Sequence, residues 1–140
     1  MNNNLTIANL MKTDWINQFE NLQLNEIKDG LQDNLNVFLY ATTDFNWKQM
    51  KQIRLGLKRK LNVSFYATNK FTSLQMEEIR LGLEKKLNVY IYANPIFTGE
   101  QMQQIRLGLE ENLEVSIYAN PKYSWKEMKN FRLRLEEGTL

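Results

Sequence analysis

The segment Ile53-Arg54-Leu55-Gly56-Leu57 returns at Ile79-Arg80-Leu81-Gly82-Leu83 and at Ile105-Arg106-Leu107-Gly108-Leu109, 26 residues apart each time. Looser copies stand in the same register at Ile27-Lys28-Asp29-Gly30-Leu31 and at Phe131-Arg132-Leu133-Arg134-Leu135. A period of roughly 20 to 50 residues marks a chain of stacked units, each burying its apolar side only against its neighbours. About five such units make residues 19–140 a single repeat domain. Residues 1–18 do not match the unit. Their Leu5, Ile7, Leu10, Met11, Trp15 and Ile16 are expected to form an N-terminal cap.

Each unit carries the marks of a helix start. Asn46 is followed three residues later by Gln49, and the pattern recurs as Thr72 with Gln75, Thr98 with Gln101 and Ser124 with Glu127. The side chain at the first position accepts from the first turn, and the Gln or Glu reaches back to the cap amide. An aromatic residue precedes each cap (Phe45, Phe71, Phe97, Tyr123) and a Met follows it (Met50, Met76, Met102, Met128), the pair expected to staple the helix entry. At about 100° per residue, Met50, Ile53, Leu57 and Leu61 share the face that must be buried. Leu55 and Gly56 lie on opposite flanks of it. A glycine inside a helix costs about 1 kcal/mol against alanine, so its recurrence at 30, 56, 82 and 108 implies close backbone approach by a neighbour. The Leu flank is expected to meet the preceding unit and the Gly flank the following one.

Between helices runs Val37-Phe38-Leu39-Tyr40-Ala41, repeated as Val63-Ser64-Phe65-Tyr66-Ala67, Val89-Tyr90-Ile91-Tyr92-Ala93 and Val115-Ser116-Ile117-Tyr118-Ala119. β-Branched and aromatic residues in alternation predict a strand. Val, the Leu/Phe/Ile position and Ala would then point one way, and the variable position and Tyr the other. The same residues also fit i, i+3, i+4 spacing, so a short second helix is the competing reading. The expectation is an α/β fold, a right-handed strand–helix solenoid over a parallel sheet, with an all-α solenoid as its alternative.

Composition narrows the chemistry. The chain has no His and no Cys, which removes the commonest general base, the thiol nucleophile and the soft metal ligands. Glu77-Glu78 and Glu110-Glu111 are adjacent on helices and point apart, and the glycines are single and mid-helical, so no phosphate loop is present. A non-enzymatic protein without cofactor, metal or small-molecule substrate is expected. No apolar run approaches the roughly 20 residues of a membrane span. Met1-Asn2-Asn3-Asn4 lacks the features of a secretory signal. A cytoplasmic location is the expectation.

Two ladders remain as candidate partner-binding sites. Tyr40, Tyr66, Tyr92 and Tyr118 would stack on the strand face away from the helices, a surface suited to protein contacts or base stacking. Arg54, Arg80, Arg106 and Arg132, with Lys28, would form a row of cations beside the apolar stripe. The plain structural alternatives are buried rings with bonded hydroxyls, and arginine stems paired with neighbouring Glu. Net charge is +2, but residues 36–61 alone carry +5, from Lys48, Lys51, Arg54, Lys58, Arg59 and Lys60 against Asp44.

The phrases Gln101-Met102-Gln103-Gln104-Ile105-Arg106-Leu107-Gly108-Leu109 and Val115-Ser116-Ile117-Tyr118-Ala119-Asn120-Pro121 resemble tandem repeats in poorly characterised proteins of bacterial plasmids, integrative elements and phages. The resemblance covers residues 19 to 138 and carries no defined activity. It implies an accessory role in a mobile element, which includes inhibition of a host defence nuclease such as a CRISPR effector. The expected strand–helix unit is similar in outline to leucine-rich repeats but lacks their strand signature. Three functions follow as expectations: docking of a protein partner on the strand face or basic first repeats, nucleic-acid binding through the basic repeat with Arg and Tyr, and self-association of matching unit surfaces into homo-oligomers.

Overall fold

In the computed structural model, the backbone is described for residues 3–140 and the side chains for residues 7–140, so the cap role expected of Leu5 and the Met1–Asn2 start lie outside the described residues. Among the described residues, six α-helices appear in order: α1 (Asn3–Leu10), α2 (Asn21–Gln32), α3 (Trp47–Lys58), α4 (Ser73–Glu84), α5 (Gly99–Glu110) and α6 (Trp125–Glu137). A 3-10 helix at Asp14–Gln18 follows α1, and short 3-10 turns at Val37–Leu39, Val63–Phe65, Val89–Ile91 and Val115–Ile117 follow the next four helices. The chain divides into two compact units, residues 1–76 and 77–140.

The α/β expectation is overturned: no strand occurs among the described residues, and the all-α alternative describes the chain. The cause is local. In the first copy the N–H of Leu39 bonds Asn36 O at 3.2 Å, and those of Tyr40 and Ala41 both bond Val37 O, at 3.0 and 2.8 Å. These amides are bonded within the segment, so they are not available to a ladder. With about three residues per 3-10 turn, Val37 and Tyr40 fall on one side. Both are buried, whereas Phe38 and Leu39 face solvent. The alternation that suggested a strand had Val and Tyr on opposite faces; the turn puts them on the same one.

Both ends of the helices are closed by repeated devices. The capping boxes expected at Asn46/Gln49, Thr98/Gln101 and Ser124/Glu127 are present, and Thr72 with Gln75 exchanges the same pair of bonds. A fifth box, Glu20 with Gln23, opens α2. At the other end the chain turns through the left-handed region at Asn34, Lys60, Lys86 and Asn112, with φ of 57°, 59°, 58° and 57°, and at Gly138, φ 70°. The next residue's N–H returns to the carbonyl at the repeat's glycine position, as in Leu35 to Gly30 at 2.8 Å and Leu87 to Gly82 at 2.9 Å. This is the Schellman closure, which satisfies carbonyls that a helix end otherwise leaves open.

In unit 1, α2 packs against α3, and α1 packs against the Val37–Leu39 turn with Ile7 buried. Trp15 meets Phe19 edge-on, ring centroids 4.8 Å apart. The core there is Phe19, Ile27, Val37, Tyr40, Phe45, Met50, Ile53, Val63 and Tyr66. In unit 2, α5 packs against α6 around Ile79, Val89, Tyr92, Phe97, Met102, Ile105, Val115, Tyr118 and Met128. Within each unit, adjacent copies are also joined by a side-chain amide. The Gln of the capping box accepts from the cap through Oε1 and donates through Nε2 to the residue preceding the next cap. Gln23 reaches Phe45 O and Gln49 reaches Phe71 O, both at 2.8 Å, and Gln101 reaches Tyr123 O at 2.7 Å.

Candidate functional site

The structure places all four ladder tyrosines at 0% exposure. Each hydroxyl donates to a helix carbonyl fourteen residues back: Tyr40 to Glu26 O at 2.7 Å, and Tyr66 to Gln52 O, Tyr92 to Glu78 O and Tyr118 to Gln104 O at 2.6 Å. That carbonyl lies four residues before the repeat's glycine, where an α-helix also bonds the glycine's own N–H. A Cβ at Gly30, Gly56, Gly82 or Gly108 would stand 2.0 to 2.2 Å from the Tyr hydroxyl. The glycine is therefore kept open for a phenol and a Val methyl from the turn that follows it. The expected close approach is real, but a side chain of the turn makes it. The exposed tyrosine face expected from the sequence does not exist, because the segment that was to carry it is not a strand. Burial pushes the Tyr40, Tyr92 and Tyr118 hydroxyls well above their ordinary pKa.

The arginines have only 10 to 13% of each side chain exposed, and Arg54, Arg106 and Arg132 reach across to the preceding helix. Arg54 Nε bonds Glu26 Oε2 at 2.6 Å, and Arg106 bonds Glu78 Oε2 at the same distance while also pairing with Glu110. Arg132 donates to Gln104 Oε1 at 3.1 Å and pairs with Glu136 at 2.6 Å; Arg80 pairs with Glu84 at 3.0 Å. Glu26, Glu78 and Gln104 thus each serve two partners, holding a Tyr hydroxyl by the main chain and an Arg by the side chain. Burial raises the Glu78 carboxyl above its usual range even with Arg106 beside it. The row of cations foreseen along the stripe is in large part neutralised inside the fold.

What the sequence did not single out is the outer edge of the 3-10 turns. Phe38 is 61% exposed and Leu39 stands beside it in unit 1. In unit 2, Tyr90 is 80% exposed, with Ile91 and Ile117 also at the surface, and Ile96, in the connection before α5, is 59% exposed. The contrast between Tyr90 and Tyr92, two residues apart, shows how sharply the turn sorts its side chains. The signal was present as the position that varies between copies (Phe38, Ser64, Tyr90, Ser116), while the units themselves repeat. Next to this edge in unit 1 lies an open groove of about 400 Å³, lined by Leu39, Leu57, Leu61, Asn62, Val63, Ser64 and Ala67.

Among the described residues, no group of three or more carboxylates is placed to hold a metal ion, and no helix is long and apolar enough to cross a membrane. No protein-family model, curated protein or solved structure matches this chain.

Proposed function

We propose that this chain is a non-enzymatic helical repeat protein that docks a protein partner on the outer edge of its 3-10 turns. The observation that carries the reading is the exposure of Phe38, Leu39, Tyr90, Ile91 and Ile96 on turns held by helices capped at both ends. Binding residues concentrate on connections carried by a rigid scaffold, and exposed large apolar side chains mark interaction sites; Phe38 and Leu39 supply them in unit 1, and Tyr90, Ile91 and Ile96 in unit 2. The Tyr ladder then contributes by fixing the turns to the helices, and the Arg ladder by pairing helix side chains. The resemblance to mobile-element repeats supplies the class of partner, a host defence protein such as a CRISPR effector met in the cytoplasm.

The test is affinity capture from a host lysate using the wild-type chain and a Phe38→Ser/Tyr90→Ser/Ile96→Ser variant. A partner retained by the wild type and lost by the variant, at unchanged thermal midpoint, supports the reading. A partner held equally by both moves docking elsewhere, and the absence of any specific partner removes the proposal. Nucleic-acid binding is the weaker reading, because Arg54, Arg80, Arg106 and Arg132 are engaged by Glu side chains. Gel retardation by random DNA or RNA at low salt would restore it.

A further inference from the structure

We propose that the apolar groove of unit 1, with the cationic chain around it, is a docking site for an acidic peptide segment bearing large apolar side chains. The proposal rests on the protein-binding reading and narrows it to one surface and one partner chemistry. Leu39, Leu57, Leu61, Val63 and Ala67 supply an apolar floor, and Asn62 and Ser64 are its polar members. The groove is open and has a volume of about 400 Å³.

The surrounding charge is strongly one-sided. Residues 45–76 contain seven basic residues (Lys48, Lys51, Arg54, Lys58, Arg59, Lys60 and Lys70) and not one Asp or Glu. Lys58, Arg59 and Lys60 run directly between two groove residues, Leu57 and Leu61, and all three are exposed. The left-handed turn at Lys60 brings the chain round there, so the basic triplet borders the apolar floor. From the preceding helix, Glu26 offsets Arg54 and Asp33 lies 3.4 Å from Lys58. Lys48, Lys51, Lys60 and Lys70 stand at the surface. Complementary charge steers a partner and rejects wrong ones, while apolar contact at the centre holds it. A phosphate backbone would satisfy the first requirement and leave the apolar floor unused. An acidic segment with Leu- or Phe-like side chains satisfies both.

The test is fluorescence anisotropy on the full chain with a labelled peptide of alternating Glu and Leu. Three controls accompany it: a Lys/Leu peptide, a Glu/Ser peptide and an oligothymidylate. The Glu/Leu peptide is expected to bind about tenfold or more tightly than either control peptide, and less tightly as salt is raised. Leu39→Asp and Lys60→Glu, both at exposed positions, should each weaken it about tenfold with the thermal midpoint unchanged. Failure of the Glu/Leu peptide to bind, or equal binding of the Lys/Leu peptide, overturns the proposal. So does oligothymidylate binding that exceeds peptide binding and is indifferent to Leu39→Asp, which would make the surface a polyanion site. Should the peptides fail while a lysate partner is still lost with the Phe38/Tyr90/Ile96 variant, the groove is wrong and the protein-binding reading survives.

Discussion

Gly82 shows how a residue that weakens a helix can stabilise a fold. Alanine there would gain about 1 kcal/mol of helix propensity, but its Cβ would lie 2.1 Å from the Tyr92 hydroxyl and 2.7 Å from a Val89 methyl. Overpacking of this kind costs about 1 to 3 kcal/mol, and displacing the hydroxyl also leaves it without its bond to Glu78 O. Gly82→Ala is therefore expected to destabilise by about 2 kcal/mol in urea unfolding, with Tyr92→Phe restoring part of the loss in the double variant. A loss identical in both backgrounds would show that the hydroxyl is not what needs the space. The buried phenols also predict alkaline behaviour. The folded state keeps Tyr40, Tyr92 and Tyr118 protonated above their ordinary value, so their stabilising contribution is complete below about pH 10 and is lost as pH rises toward their folded pKa. Three such groups give a fall of about 4 kcal/mol per pH unit above that point. Tyrosinate absorbance from these rings should appear together with loss of helical circular dichroism; ionisation ahead of unfolding would contradict their burial.

At the scale of the element, α2, α3 and α5 each have a left-handed turn that stops them and an amide that ties them to the next copy. Lys86 occupies a left-handed turn with φ 58°, where a side chain costs about 1 to 2 kcal/mol that glycine avoids. Lys86→Gly is expected to raise stability by about 1 kcal/mol, as Gly138 already does for α6. Unchanged or lower stability by chemical denaturation would mean that the Lys86 side chain contributes more than its backbone strain removes. Gln49 serves the tie. Gln49→Glu keeps the acceptor for the Asn46 amide but turns a donor toward Phe71 O into a second acceptor, at a cost of about 2 to 3 kcal/mol. Glu127→Gln, at the position where α6 keeps its box with a carboxylate, should be near neutral by the same measurement. The start signals were readable because capping chemistry is local. The Glu20 cap was hidden, since Glu is an uncommon capping residue. The Schellman turns were hidden too, as Asn or Lys stands where glycine is usual.

Across the whole chain, the exposed edge stands apart from the buried ladders, and the proposed docking surface from the framework. Phe38→Ser and Ile96→Ser, one in each unit, should each shift stability by no more than about 0.5 kcal/mol, whereas Tyr66→Phe should cost about 1 kcal/mol or more through Gln52 O. Differential scanning calorimetry separates these outcomes, and a large loss from Phe38→Ser would assign that ring to the framework. Periodicity alone was enough to specify the 26-residue unit, the helices and the buried Met50 and Ile53. These follow from interactions within a few residues and from the 3.6-residue repeat of the helix. Leu57 and Leu61, expected on the same buried face, instead line the open groove, and the neighbour expected at each repeat's glycine is a side chain, not backbone. Whether Val37-Phe38-Leu39-Tyr40 would extend or coil was not decided locally, because its residues suit both alternation and three-residue spacing. The tertiary structure settled it: the Tyr40 hydroxyl has to reach a helix carbonyl beside a glycine, and only a tight turn brings Val37 and Tyr40 to that helix together. The same packing sent the tyrosines and arginines inward and left the variable turn residues facing solvent.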